Sequence, residues 1–137
     1  MNNLVLFDFD VFNTRCNNFA TQYIPKIIRA DALKRITHHL SNRETVVVVS
    51  ASPENWVKSW SVSMGIHCIA TKLEVKNYKI TGNYSGNNCS GQEKVRRIKE
   101  NFNLSDFDLI IAYGDSRGDR EMLELADNKN YKLFQST

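Results

Sequence analysis

"LFDFDVFNT", residues 6–14, is the stretch whose reading decides the fold. It closes the apolar run "NLVLFDFD", which ends in two carboxylates, Asp8 and Asp10. Charge at the end of a buried strand is costly unless something uses it. The chain repeats the pattern twice. "TVVVVS", residues 45–50, is a β-branched run ending in Ser50, as suits a central parallel strand covered on both faces. "FDLIIAYGD", residues 107–115, ends in Asp115, and "GDSRGD" places Asp119 four residues further on. In open α/β sheets ligands bind outside the carboxyl ends of the strands. These three strand ends therefore point to one crevice.

The segments between them read as helices and shorter strands. "ADALKRITHHL" (30–40) puts Leu33, Ile36 and Leu40 on one helical face. In "SPENWVKSWSVSMG" (52–65), Ser52 can cap, Pro53 suits the first turn and Gly65 can end the helix. "HCIATKLEV" and "YKITGNY" read as strands joined by the turn "KN". "SGQEKVRRIKENF" (90–102) opens with a capping-box pattern, Ser90 to Glu93, and turns Val95, Ile98 and Phe102 inward. "DREMLELAD" is helical and "YKLF" an edge strand. Alternating strands and helices predict one α/β domain over residues 1–137, with a mostly parallel sheet between helical layers.

Lys94 falls in the first turns of the helix that precedes the third strand. Asp8, Asp10, Asp115 and Asp119 in one crevice would repel one another, and a divalent cation relieves this. All-oxygen ligands suit Mg2+. A hard cation, the Ser50 hydroxyl and the Lys94 ammonium together make a phosphate site. The chemistry that follows is phosphoryl transfer with one carboxylate as nucleophile. Each residue alone has a plainer reading: a strand-end aspartate as turn or cap, Lys94 as a solvated helix residue, Asp119 as N-cap of "REMLEL". The order and placement of all of them together carry the functional reading.

These motifs resemble those of the haloacid dehalogenase-like (HAD) hydrolases, in particular the phosphoserine phosphatase-like branch. Asp8-Phe9-Asp10 matches the family's Asp-x-Asp after an apolar strand. "VVVVS" matches its second motif at Ser50, "GQEKVRRI" its lysine at Lys94, and "GDSRGD" its fourth motif. "SASPENW", "ATKLEV" and "YGDSRGDREML" also look like that branch. The resemblance implies a HAD-type Rossmann-like three-layer core acting on a phosphorylated substrate. Asp8 would be the nucleophile that forms an aspartyl-phosphate, and Asp10 the general acid and base. Ser50 and Lys94 would hold the phosphoryl oxygens. Asp8, Asp10 and Asp115 would hold Mg2+, with Asp119 orienting the metal shell or Lys94.

Two departures from the family pattern stand out. Gly and Thr normally follow Asp-x-Asp, but Val11 and Phe12 stand here. Glycine allows a tight turn that β-branched valine restricts, and the threonine hydroxyl is lost. This implies reduced activity or, in the alternative, a degenerate non-catalytic member or a truncated core with little activity. "FDVFNT" also admits a second register, in which Asp10 is the nucleophile and Thr14 the family threonine. The length of "LVLF" before Asp8 favours the first. The second departure is size. Residues 11–49, between Asp10 and Ser50, must hold a helix and a strand and leave no room for the helical cap expected there. A capless site is open, so it would take either a large substrate or a neighbouring copy of the chain as its lid. The hairpin "ATKLEVKNYKITGNY" could serve that contact or be an ordinary edge hairpin.

Composition excludes other classes. The chain of 137 residues is 42% hydrophobic and 24% charged, with a formal charge of +3. No run of like charge exceeds "KVRR", so composition gives little support to a nucleic-acid partner. Cys16, Cys68 and Cys89 form no C-x-x-C, which argues against zinc or disulfides and for reduced cytoplasmic thiols. "LVLF" is too short for a signal peptide or a membrane span. No Walker or G-x-G-x-x-G pattern is present. Adjacent His38 and His39 point in different directions on a helix and read as surface residues. A receiver domain would need its lysine after the last acidic strand, whereas Lys94 precedes Asp115.

Overall fold

The computed structural model describes residues 2–8, 30–84, 86, 88–114 and 117–131. Five strands form the main sheet: β1 (Asn3–Phe7), β2 (Thr45–Pro53), β3 (His67–Thr71), β6 (Leu109–Gly114) and β7 (Asn128–Tyr131). Their order is β3-β2-β1-β6-β7, and every pair is parallel. A separate antiparallel hairpin, β4 (Leu73–Lys76) with β5 (Lys79–Tyr84), leaves the carboxyl end of β3.

Strand periodicity builds three layers, because successive side chains leave opposite faces. Val5 and Phe7 of β1, with Val46 and Val48 of β2, meet Ala32 and Ile36 of α1 (Ala30–Ser41) and Val57 and Trp60 of α2 (Glu54–Met64). Leu4 and Leu6, with Val47 and Val49, meet Ile98 of α3 (Gln92–Asn101) and Met122 and Leu123 of α4 (Arg120–Glu124). The central strands are therefore apolar on both faces, as their unbroken β-branched runs require. This is the predicted three-layer Rossmann-like core, and no cap domain is present among the described residues. No helix there is long and apolar enough to cross a membrane.

The structure corrects several local expectations. β2 continues past Ser50, and Pro53 still pairs with Thr71 across an irregularity, so α2 starts at Glu54 rather than at the proline. "HCIATKLEV" is two strands in two sheets, parted at Lys72. The hairpin turn is Asn77-Tyr78, not Lys76-Asn77. The Ser90–Glu93 capping box is absent. Gly91 occupies the N-cap without a side-chain bond, and Glu93 pairs with Arg96 and Arg97. Those bonds, Arg96 first, hold the Glu93 carboxyl down at about 2. β7 spans Asn128–Tyr131, and the rest of the expected strand "YKLF", residues 132–134, lies outside the described residues.

His39 is the largest correction. It is buried, with Nδ1 2.9 Å from Glu44 Oε1 and Nε2 2.8 Å from the Tyr113 hydroxyl. Burial pushes the Glu44 carboxyl up, but hydrogen bonds from His39 and Asn3 outweigh it and hold it below its usual value. Ionised Glu44 can only accept, so Nδ1 carries a hydrogen toward it, and Nε2 meets the Tyr113 hydroxyl. This chain ties α1 to β6 beneath the sheet's carboxyl edge.

Truncating His39→Ala would take one hydrogen-bond partner from each of the Tyr113 hydroxyl and Glu44, a loss of about 1–3 kcal/mol. Urea unfolding should show it as a lower midpoint at unchanged slope; an unshifted midpoint would contradict the network. Gly114→Ala should also destabilise, by about 1–3 kcal/mol. The new Cβ would lie 2.7 Å from Asp119 Cβ. A wild-type Tm for this variant would show that the Gly114–Asp119 approach is not tight.

Candidate active site

Asp8 is the first residue beyond β1. Its backbone N–H donates to the Tyr113 carbonyl at 2.9 Å, which fixes it to β6. Phe7 pairs with Val48, so Asp8 lies level with Val49, and Ser50 stands one residue further along the neighbouring strand. Asp8 and Ser50 are both buried. The parallel register, set by apolar side chains facing two ways, thus brings a carboxylate and a hydroxyl to one edge of the sheet.

Lys94 reaches this edge from α3. Its side chain is 1% exposed, a state lysine adopts only when paired. Nζ donates to Asp8 Oδ2 at 3.1 Å and to the Val49 carbonyl at 3.1 Å, and lies 3.2 Å from Asp119 Oδ1. Two of the ammonium's hydrogens thus have acceptors, and Asp119 meets it as an ion pair. Burial works against the charge on Lys94, but Asp8 and Asp119 outweigh it and raise its pKa above the usual lysine value.

Asp119 is fully buried at the end of the short 3-10 turn Arg117–Asp119. It stands at the N-cap of α4, yet its side chain makes no capping bond. The carboxylate turns to Lys94 instead, so the capping reading gives way to the ion pair. Gly114 makes room for it, since a β-carbon there would overlap Asp119. The loop before α3 is tied into the same cluster. The Cys89 N–H donates to Thr71 Oγ1 at 2.9 Å, and the Gly91 N–H to the Gly118 carbonyl at 2.9 Å.

The charge count decides what else the site needs. Two buried carboxylates face one buried ammonium. Burial pushes Asp8 well above the usual carboxylate range, Lys94 pulls it down, and its contact with Asp119 pushes it up again. The surplus negative charge suits a further cation bound through oxygen, and the donor set is of the hard kind that Mg2+ prefers. Among the described residues no group of three or more His, Cys, Asp or Glu could hold a metal. Asp10 and Asp115, expected metal ligands, lie outside the described residues, as do Val11, Phe12 and Thr14. The structure therefore brings together Asp8, Ser50, Lys94 and Asp119. Nothing in the sequence marks the Val49 carbonyl, which any residue could supply.

The model of the haloacid dehalogenase-like hydrolase family matches residues 5–124. Protein CicA of Caulobacter vibrioides is 37% identical over 119 residues, which are 85% of this chain and 53% of that protein. The chain thus spans about half the length of the relatives it matches. A structure described as a phospho-aspartyl intermediate analogue of phosphoserine phosphatase is 25% identical, with a TM-score of 0.60 over 72% of this chain and 48% of that one. Apo phosphoserine phosphatase is 22% identical and shares the fold, with a TM-score of 0.64 over 93% of this chain and 84% of that one. With the three-layer core and the match across residues 5–124, the chain belongs to the haloacid dehalogenase-like hydrolase family.

Proposed function

We propose that the protein hydrolyses phosphomonoesters at Asp8 through an aspartyl-phosphate. The observation that carries this reading is the buried ammonium of Lys94, held within 3.2 Å of Asp8 and Asp119 at the carboxyl edge of a parallel sheet. The family membership and the phosphatases among the solved structures support it.

Asp8 attacks phosphorus through one carboxylate oxygen while the bond to the leaving oxygen breaks. Asp10, two residues on, gives the leaving oxygen its proton and later takes one from the water that cleaves the acyl phosphate. Lys94 positions the nucleophile before attack. When the Asp8 carboxylate becomes an acyl phosphate it loses its charge, and the ammonium is then drawn to the phosphoryl oxygens. Ser50 donates to the same oxygens. Asp119 holds Lys94 charged and aimed throughout. Asp8, Asp10 and Asp115 would hold Mg2+, which when bound neutralises phosphoryl charge in the transition state. The substrate is a phosphorylated molecule that reaches an open site.

Hydrolysis of an aryl phosphate with Mg2+ should vanish in Asp8→Asn and fall by about 10²–10⁴-fold in Asp10→Asn. Turnover that survives in Asp8→Asn but not in Asp10→Asn would move the nucleophile to Asp10. A folded wild type that binds Mg2+ without turnover would favour the non-catalytic alternative, with Val11 and Phe12 as its cause.

Lys94→Met should remove activity and cost about 3–5 kcal/mol at neutral pH, because two buried carboxylates lose their counter-charge. The deficit should shrink as pH falls and those carboxylates take up protons. In the wild type the pKa of Lys94 is raised by folding. Its own charge is retained up to the ordinary lysine value of 10.5, so on the alkaline side the difference between the two proteins is lost as pH rises through the raised value. Urea unfolding of both proteins from acid to alkaline pH measures this. A pH-independent difference between them would contradict the cluster.

A further inference from the structure

The β4–β5 hairpin breaks three local rules at one place. Its turn residues, Asn77 and Tyr78, both have positive φ, at 52° and 65°. A two-residue hairpin turn of this kind is relaxed as Asn-Gly, and a bulky residue at the second position is strained. Tyr78 is also fully exposed, at 102%. Lys76 and Lys79 are direct cross-strand partners on either side of the turn. Like charges directly opposite each other destabilise a hairpin. Glu74, 3.6 Å from Lys76, offsets only part of this. Local violations gathered in one exposed element are the mark of a functional constraint rather than of folding.

The hairpin does not stand alone. A groove of about 490 Å³ lies at its base beside edge strand β3, lined among others by Lys58, Lys72, Arg96 and Arg97. Arg96 and Arg97 are engaged by Glu93 and Glu100, and Lys76 by Glu74, while Lys72 and Lys79 add further positive charge. Lys58 and Lys72 are exposed at the groove and Lys76 and Lys79 at the tip. Residues 58, 72, 76 and 79 are dispersed in the chain, so no charge run announces them. Four strand residues at about 3.3 Å each separate Lys72 from Lys76. The tip and groove therefore make a strip on the order of 13 Å long, rising from the same sheet edge as Asp8.

We propose that this strip binds single-stranded nucleic acid, with Tyr78 as a stacking platform and Lys72, Lys76 and Lys79 on the phosphates. A groove of positive charge combined with an aromatic face is the recognition pattern of single strands. An acidic protein would also meet the lysines. However, a protein interface needs an apolar centre, and the tip offers one aromatic ring set among lysines. Stacking needs only the ring's face.

The test is fluorescence anisotropy of a labelled oligothymidylate with the full chain, in chelator, over a range of salt, with aryl phosphate hydrolysis and Tm measured in parallel. Affinity should fall as salt rises. Lys76→Ala with Lys79→Ala should lower the slope of log K against log salt by about 1.4. Tyr78→Gly should weaken binding about fivefold or more while raising Tm, since glycine relaxes the turn. All these variants should hydrolyse the aryl phosphate as the wild type does, so loss of the phosphatase reading would leave the binding result standing. No binding at low salt, wild-type affinity in Tyr78→Gly, or equal competition by polyglutamate would overturn the proposal.

Discussion

A lysine ammonium buried between two carboxylates is the constraint on which the rest of this structure depends. A lone charge in a protein interior is not tolerated, so Lys94 obliges Asp8, Asp119 and the Val49 carbonyl to meet at one point. Those groups come from β1, β2 and the turn after β6, and Lys94 itself comes from α3. The ion cluster therefore fixes one helix against three strand ends. Gly114 belongs to this constraint, because only a residue without a β-carbon lets Asp119 come so close. Such a cluster contributes little to stability compared with an apolar replacement. Its retention points to chemistry, and its surplus negative charge points to a cation.

The parallel sheet is what makes the meeting possible. Parallel strands all end at the same edge, and helices on both faces cover the central strands below it. Side chains there are held by backbone register rather than by loops, as the pairing of Phe7 with both Val48 and Tyr113 illustrates. Below the edge, Tyr113 packs on Phe7 with ring centroids 4.8 Å apart and binds His39 through its hydroxyl. Apolar packing and a satisfied polar chain thus support the segment that carries Asp8. The hairpin after β3 differs from this floor in that it spends local stability at an exposed tip.

Much of the fold and part of the site were legible in the sequence. The runs "LVLF", "VVVV" and "LIIA" are apolar at every position, and only doubly covered strands need that. Asp8, Ser50 and Asp119 could be placed because strand ends and a fixed spacing locate them. Lys94 was the weakest signal, since one lysine in a charged helix looks solvated until its buried partners are seen. His39 was misread for a related reason. Its partner Tyr113 lies 74 residues away, and helical geometry alone says only that two adjacent histidines diverge. The capping box failed because two arginines one turn on compete for Glu93. The turn at Asn77-Tyr78 was misplaced because a tyrosine there defies turn chemistry. These misses share a cause: side-chain pairings and backbone conformations that a local pattern does not encode.

The most direct measurement is the identity of the residue that becomes phosphorylated. The chain would be acid-quenched during turnover of an aryl phosphate with Mg2+, reduced with borohydride to convert an aspartyl-phosphate into stable homoserine, and sequenced by fragmentation mass spectrometry. The expected result is homoserine at position 8 and unmodified aspartate at position 10. Homoserine at position 10, or no conversion during active turnover, would contradict the account of Asp8 held by Lys94 as the chemical centre.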